Sequence, residues 1–119
     1  MGAGFLQRVI GKEGVEATSL ARTLHITKQE LAAATGLSRD AVTKTSRSSS
    51  VATQGRLRET VEIINRVIPW SGSVELAFAW YRSQPLPSFG DKTAEDLLKE
   101  GRGQALRDYL SRIAEGGYA

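Results

Sequence analysis

The chain is predicted to be all-α. Three observations lead there. Apolar residues recur mostly at three- and four-residue spacing. Strict alternation of β-branched with polar residues is short or absent. Hydroxyl side chains and glycines stand where helices would start and stop. Six or seven helices are expected.

The first helix runs from about Ala17 to His25, with Leu20 and Leu24 on one face. A second begins at Thr27. Thr27-Lys28-Gln29-Glu30 has the form of a capping box, in which a hydroxyl meets an orphan amide and a Glu three residues on reaches back. That helix ends near Thr35-Gly36, and Ser38 caps a third helix from Arg39 to about Arg47. Ser46 to Ser50 is a polar loop. A longer helix follows from Val51 to Ile68, with Leu57, Val61, Ile64 and Val67 at helical spacing, and it is expected to break at Pro69. Val74 to Ser83 is apolar nearly all round, which marks a helix for the core or for contact with another chain. Pro85-Leu86-Pro87 ends it, and Ser88 to Asp91 is a turn. Thr93 opens a capped helix with acids in its first turn. Gly101 and Gly103 separate that helix from the last one, which carries Leu106, Leu110 and Ile113 on one face and is stopped at Gly116.

Composition narrows the function. The chain has no cysteine and a single histidine, His25. Disulfides, thiolate chemistry and histidine-rich metal sites are therefore not expected, nor is any cofactor. A Ser/His/Asp or Cys/His set would have to rest on His25 alone. Gly90-Asp91-Lys92-Thr93 lacks the upstream glycines and the preceding strand of a phosphate loop, so an enzyme is not expected. No apolar run approaches the roughly 18–20 residues that span a bilayer. The first residues lack a signal-peptide core, which places the chain in the cytoplasm without a membrane partner. Charge is uneven. Residues 1–60 hold nine Lys/Arg against five Asp/Glu, while residues 61–119 hold seven against eight. A net +4 in the first half fits a polyanion partner there.

The strongest local signal runs from Gln29 to Lys44. Two helices crossing steeply need a small residue at their close approach, and Ala32 fits. The turn needs a residue tolerant of positive φ, and Gly36 stands there. Leu31, Leu37 and Val42 are apolar where the pair must pack. The pattern is that of a helix-turn-helix, which puts its second helix in the major groove of DNA. The candidate DNA-binding residues are Thr27, Lys28, Ser38, Arg39, Asp40, Thr43, Lys44 and Arg47. Arg39 and Lys44 suit guanine edges or phosphates, and Ser38 and Thr43 suit short contacts. Arg56 and Arg58 are within reach of the flanking backbone. So small a motif binds operator DNA as a dimer on two half-sites.

These segments together resemble a family, the Xre/MbcA/ParS-type antitoxins, partners of RES-domain and ParT-type toxins. Thr27 to Ala32 and Gly36 to Val42 resemble the family's Xre-like helix-turn-helix. Thr53-Gln54-Gly55-Arg56-Leu57-Arg58 resembles its linking helix, and Trp80 stands where a tryptophan is frequent. Phe89 to Leu98 is similar to the family's Gly-x-Lys-Thr-Pro-x-x-Leu-Leu, with Ala94 in place of the proline. Leu110 to Ala119 is similar to its closing Leu-x-x-Ile-x-x-Gly-x-Tyr/Phe-Ala. Either Gly101 or Gly103 is the counterpart of the family's hinge glycine.

The resemblance implies a helix-turn-helix part over residues 1–50, a linking helix over 51–72 and a toxin-binding part over 73–119. It further implies an antitoxin without enzymatic activity. Its C-terminal part and tail would bind a toxin that consumes NAD or ADP-ribosylates a target, and the complex would repress its own operon as a homodimer or higher toxin–antitoxin assembly. The implied toxin-binding residues are Lys92, Thr93, Leu110, Ile113, Gly116, Gly117, Tyr118 and Ala119. Gly116-Gly117 is a flexible exit, Tyr118 an amphipathic anchor, and Ala119 ends in a carboxylate. Without the resemblance, a frayed terminus is the default for such a tail. The competing reading is a stand-alone dimeric helix-turn-helix repressor with no toxin partner, in which the tail is dispensable.

Overall fold

A computed structural model describes residues 2–44 and 48–116. Among them are eight α-helices and one small hairpin: α1 Gly2–Val9, β1 Ile10–Gly11, β2 Gly14–Val15, α2 Ala17–Leu24, α3 Lys28–Thr35, α4 Arg39–Thr43, α5 Val51–Ser71, α6 Val74–Ser83, α7 Ala94–Lys99 and α8 Gly103–Gly116. A single 3-10 turn, Pro87–Phe89, joins α6 to α7. The all-α expectation holds.

The start of the chain differs from expectation. The first residues form α1, which buries Phe5 and Val9, and then an antiparallel hairpin pairing Ile10 with Val15 and Gly11 with Gly14. The hairpin is anchored from a distance. Gln54 on α5 is buried; its Oε1 accepts from the Val15 amide at 2.9 Å and its Nε2 donates to the Val15 carbonyl at 2.9 Å. The same Nε2 donates to the Ser48 carbonyl at 2.9 Å. Gly14 has φ +114, and a Cβ there would sit 2.3 Å from Gln54 Oε1, so only glycine fits.

The helix starts follow the local chemistry that predicts them. Thr27 and Glu30 form the capping box of α3, and Thr93 and Asp96 form that of α7. Ser38, Ser50 and Ser73 each accept a backbone amide at the start of α4, α5 and α6. Two boundaries need correction. Helix α4 ends at Thr43 rather than continuing toward Arg47. Lys44 is extended at φ −97, ψ 121, and the Thr43 hydroxyl donates to the Arg39 carbonyl at 2.9 Å, competing with the helix ladder. Arg47 lies outside the described residues. Helix α5 does not stop at Pro69 but carries it to Ser71. The missing amide falls in the last turn, where the Ser71 hydroxyl donates to the Val67 carbonyl at 3.0 Å and the Gly72 amide to the Ile68 carbonyl at 2.8 Å.

One hydrophobic core runs from Phe5 to Leu110. Helix α5 is its spine, with Leu57, Val61, Ile63, Ile64 and Val67 buried. α1 and β2 pack on the spine's first half, α6 lies along it, and α8 reaches it from the other end of the chain. Arg107 ties α8 to α5 with bonds of 3.0 and 3.2 Å to Glu62 and 3.2 Å to Glu59.

Candidate functional site

The helix pair α3–α4 meets at Gly36, which caps α3 in the left-handed region at φ 72. The last carbonyls of α3 would lack partners by themselves. Two side chains from beyond the pair supply them. The Tyr81 hydroxyl donates to the Ala34 carbonyl at 2.8 Å, and Arg56 Nη1 donates to the Thr35 carbonyl at 2.9 Å. Gly36 itself sits against Lys99 and Arg56, so the turn is held in place by α5, α6 and α7. Arg56 is therefore turned inward, unlike its expected role beside a DNA backbone, while Arg58 is exposed.

The outer face of the pair carries most of the residues singled out for DNA. Thr27, Ser38, Arg39, Asp40, Thr43 and Lys44 are exposed and Lys28 is half-buried. The hydroxyls of Thr27 and Ser38 accept backbone amides at 3.0 and 3.1 Å, which leaves each hydroxyl hydrogen for an outside acceptor. Thr43 has given its hydrogen to Arg39.

Ion pairing divides the molecule. Among the described residues, Lys12, Arg22, Lys28, Arg39 and Lys44 have no carboxylate partner. In the second half, Arg82, Lys92, Lys99, Arg102 and Arg107 all have one. Arg66, which donates to the Arg107 carbonyl at 3.3 Å, and Arg112 are the exceptions there. The free cations thus lie mostly on the half that carries the helix pair, and they are the ones open to phosphates.

The C-terminal half is built around Glu95 of α7, which is buried at 7 % exposure. Arg82 of α6 holds it with bonds of 2.6 and 3.1 Å, and Lys99 adds one of 2.6 Å. This pairing holds the Arg82 guanidinium above its usual pKa. Capping explains Asp96, but Glu95 is an ion-pair centre joining α6 to α7. Phe89 packs edge-on to Tyr109 at 5.5 Å, with the Arg102 guanidinium 5.4 Å from the Phe89 ring centroid.

The residues singled out for a partner protein fall into distinct places. Lys92 is exposed and pairs with Glu100, whose carboxyl it holds below the ordinary value. Thr93 caps α7, accepting the Asp96 amide at 3.1 Å. Leu110 is buried in the core and Ile113 is half-buried. Gly116 is the last residue of α8, and Gly117, Tyr118 and Ala119 lie outside the described residues.

Sequence reasoning passed over Trp70. It is 46 % exposed and borders a groove of about 290 Å³ with Arg66, Leu110, Ser111, Ala114 and Glu115. A tryptophan just past a proline, at the end of an amphipathic run, was the available signal. Also passed over were Lys12 at the hairpin tip and the Tyr81 clamp.

Residues 67–116 match the model of the antitoxin Xre/MbcA/ParS C-terminal toxin-binding domain. The matched stretch holds the end of α5 with Trp70, all of α6 and α7, and α8. No curated protein and no solved structure gives a significant match.

Proposed function

Taking residues 67–116 as the toxin-binding domain of an Xre/MbcA/ParS-type antitoxin, we propose that the chain neutralises a RES-like or ParT-like toxin and represses its own operon. The target would be a cytoplasmic enzyme that consumes NAD or transfers ADP-ribose from it. The chain contributes no chemistry and acts by occupying the toxin. The observation that carries this reading is the family match over α6 to α8.

In this reading the tail that follows α8 enters the toxin's cleft, with Tyr118 as its amphipathic anchor. Lys92, Thr93 and Ile113 flank the approach, with Leu110 acting through the core that shapes α8. The groove beside Trp70 borders the end of α8 and suits the same partner. Operator DNA is taken by α4, as a dimer on two half-sites. The capped α3–α4 pair and its free cations Arg39 and Lys44 support that part.

Two changes separate the roles. A chain without residues 116–119 should keep its helical circular dichroism and its DNA binding. Co-expressed with the toxin encoded by the neighbouring gene, it should fail to restore growth. Arg39→Ala with Lys44→Ala should do the reverse, weakening operator binding and reducing its salt slope by up to about 2 units. Growth restored by the truncated chain would remove the tail from the mechanism. Operator binding unchanged in the double variant would remove α4 from the groove.

A further inference from the structure

Alongside α4, the hairpin lines the same concavity as two of the DNA-binding candidates. A groove of about 740 Å³ has the hairpin residues Gly11 to Val15 on one side and Lys28 of α3 and Thr43 of α4 on the other. We propose that the β1–β2 hairpin is a second DNA contact, with Lys12 at its tip holding a backbone phosphate beside the duplex that α4 reads. The inference rests on the DNA-binding reading of α3–α4.

Two features favour it, and a third sets its strength. First, Lys12 is exposed at the turn and has no carboxylate partner among the described residues. Its ammonium is a point charge on a flexible stem, suited to phosphate and indifferent to base sequence. Second, the hairpin is not a loose flap. Gln54 holds both backbone groups of Val15 and the Ser48 carbonyl at once, which joins the hairpin to the chain downstream of α4. A phosphate contact made from a fixed support costs less ordering on binding. Third, the nearby acids divide. The Glu16 carboxylate is folded against Gly11 and accepts from the Ser19 hydroxyl at 3.0 Å, while Glu13 shares the tip with Lys12. Glu13 then opposes the phosphate that Lys12 attracts.

The test uses the full chain and two short fluorescent duplexes, one from the DNA upstream of its own coding region and one scrambled. Lys12→Ala should weaken binding to both by the same factor and lower the salt slope by about 0.9. Glu13→Gln should tighten both. Arg39→Ala should instead change the ratio between the two duplexes. If Lys12→Ala leaves affinity and slope at wild-type values while Arg39→Ala weakens binding, the hairpin does not touch DNA. If the wild-type chain binds neither duplex, the reading of α3–α4 fails, and the hairpin contact fails with it.

Discussion

The Tyr81 phenol is wholly buried, and its hydroxyl donates to a helix end 47 residues earlier in the chain. Burial raises its pKa above the ordinary value of about 10. The folded chain therefore holds this proton more tightly than the unfolded chain does. The stability it contributes is whole below about pH 10 and is lost as pH climbs further, because the unfolded phenol ionises first. Tyr81→Phe removes the donor and strands the Ala34 carbonyl, which should cost about 1–2 kcal/mol at neutral pH. Urea unfolding of both chains, repeated in steps from neutral to alkaline pH, should show the gap between them narrowing above about pH 10. A gap that stays constant would mean that Tyr81 is not the group that titrates.

Helix ends were legible in the sequence because capping is local. Thr27 with Glu30, Ser38, and Thr93 with Asp96 each involve residues three apart, and each acts as its spacing predicts. The hairpin and α1 were not legible. Gln54 meets Val15 across 39 positions, which leaves no local pattern, and α1 offers only Phe5 and Val9 four apart in a helix of about two turns. At the candidate site, the exposed cations of α4 were legible from the turn chemistry. The inward turn of Arg56 was not, since its acceptor is the end of another helix. Pro69 misled for a related reason. The proline rule holds for an isolated helix, whereas packing of Val67 and Ile68 keeps the last turn of α5 intact. The rule still has a measurable cost. Pro69 gives no amide to the Asn65 carbonyl, and Asn65 Oδ1 is itself buried without a partner. Pro69→Ala restores the donor and should stabilise the chain by about 1 kcal/mol or more in urea unfolding. Destabilisation would show that the proline's restraint of the unfolded chain outweighs the missing bond.

On the scale of the whole molecule, the two proposed roles share one core. The Cα radius of gyration is 13.7 Å, close to the roughly 13.5 Å of a compact chain of this length. The toxin-binding match starts at residue 67, inside α5, so the matched stretch lacks Leu57, Val61, Ile63 and Ile64 of the spine. It also lacks α3, on whose end Tyr81 and Arg56 close. A piece beginning at Val67 would expose Ala77, Tyr81, Leu97 and Leu98, all fully buried in the whole chain. A piece of that size buries too little surface to be stable without help. The full chain should therefore unfold in one transition, with far-ultraviolet circular dichroism and the fluorescence of Trp70 and Trp80 tracing the same curve in urea. The piece from Val67 onward should show no cooperative transition. A folded piece with its own transition would mean that the two roles sit on separable domains. If the single transition is found, a partner bound at α8 stabilises α3 and α4 as well, because the same core must open for either to unfold.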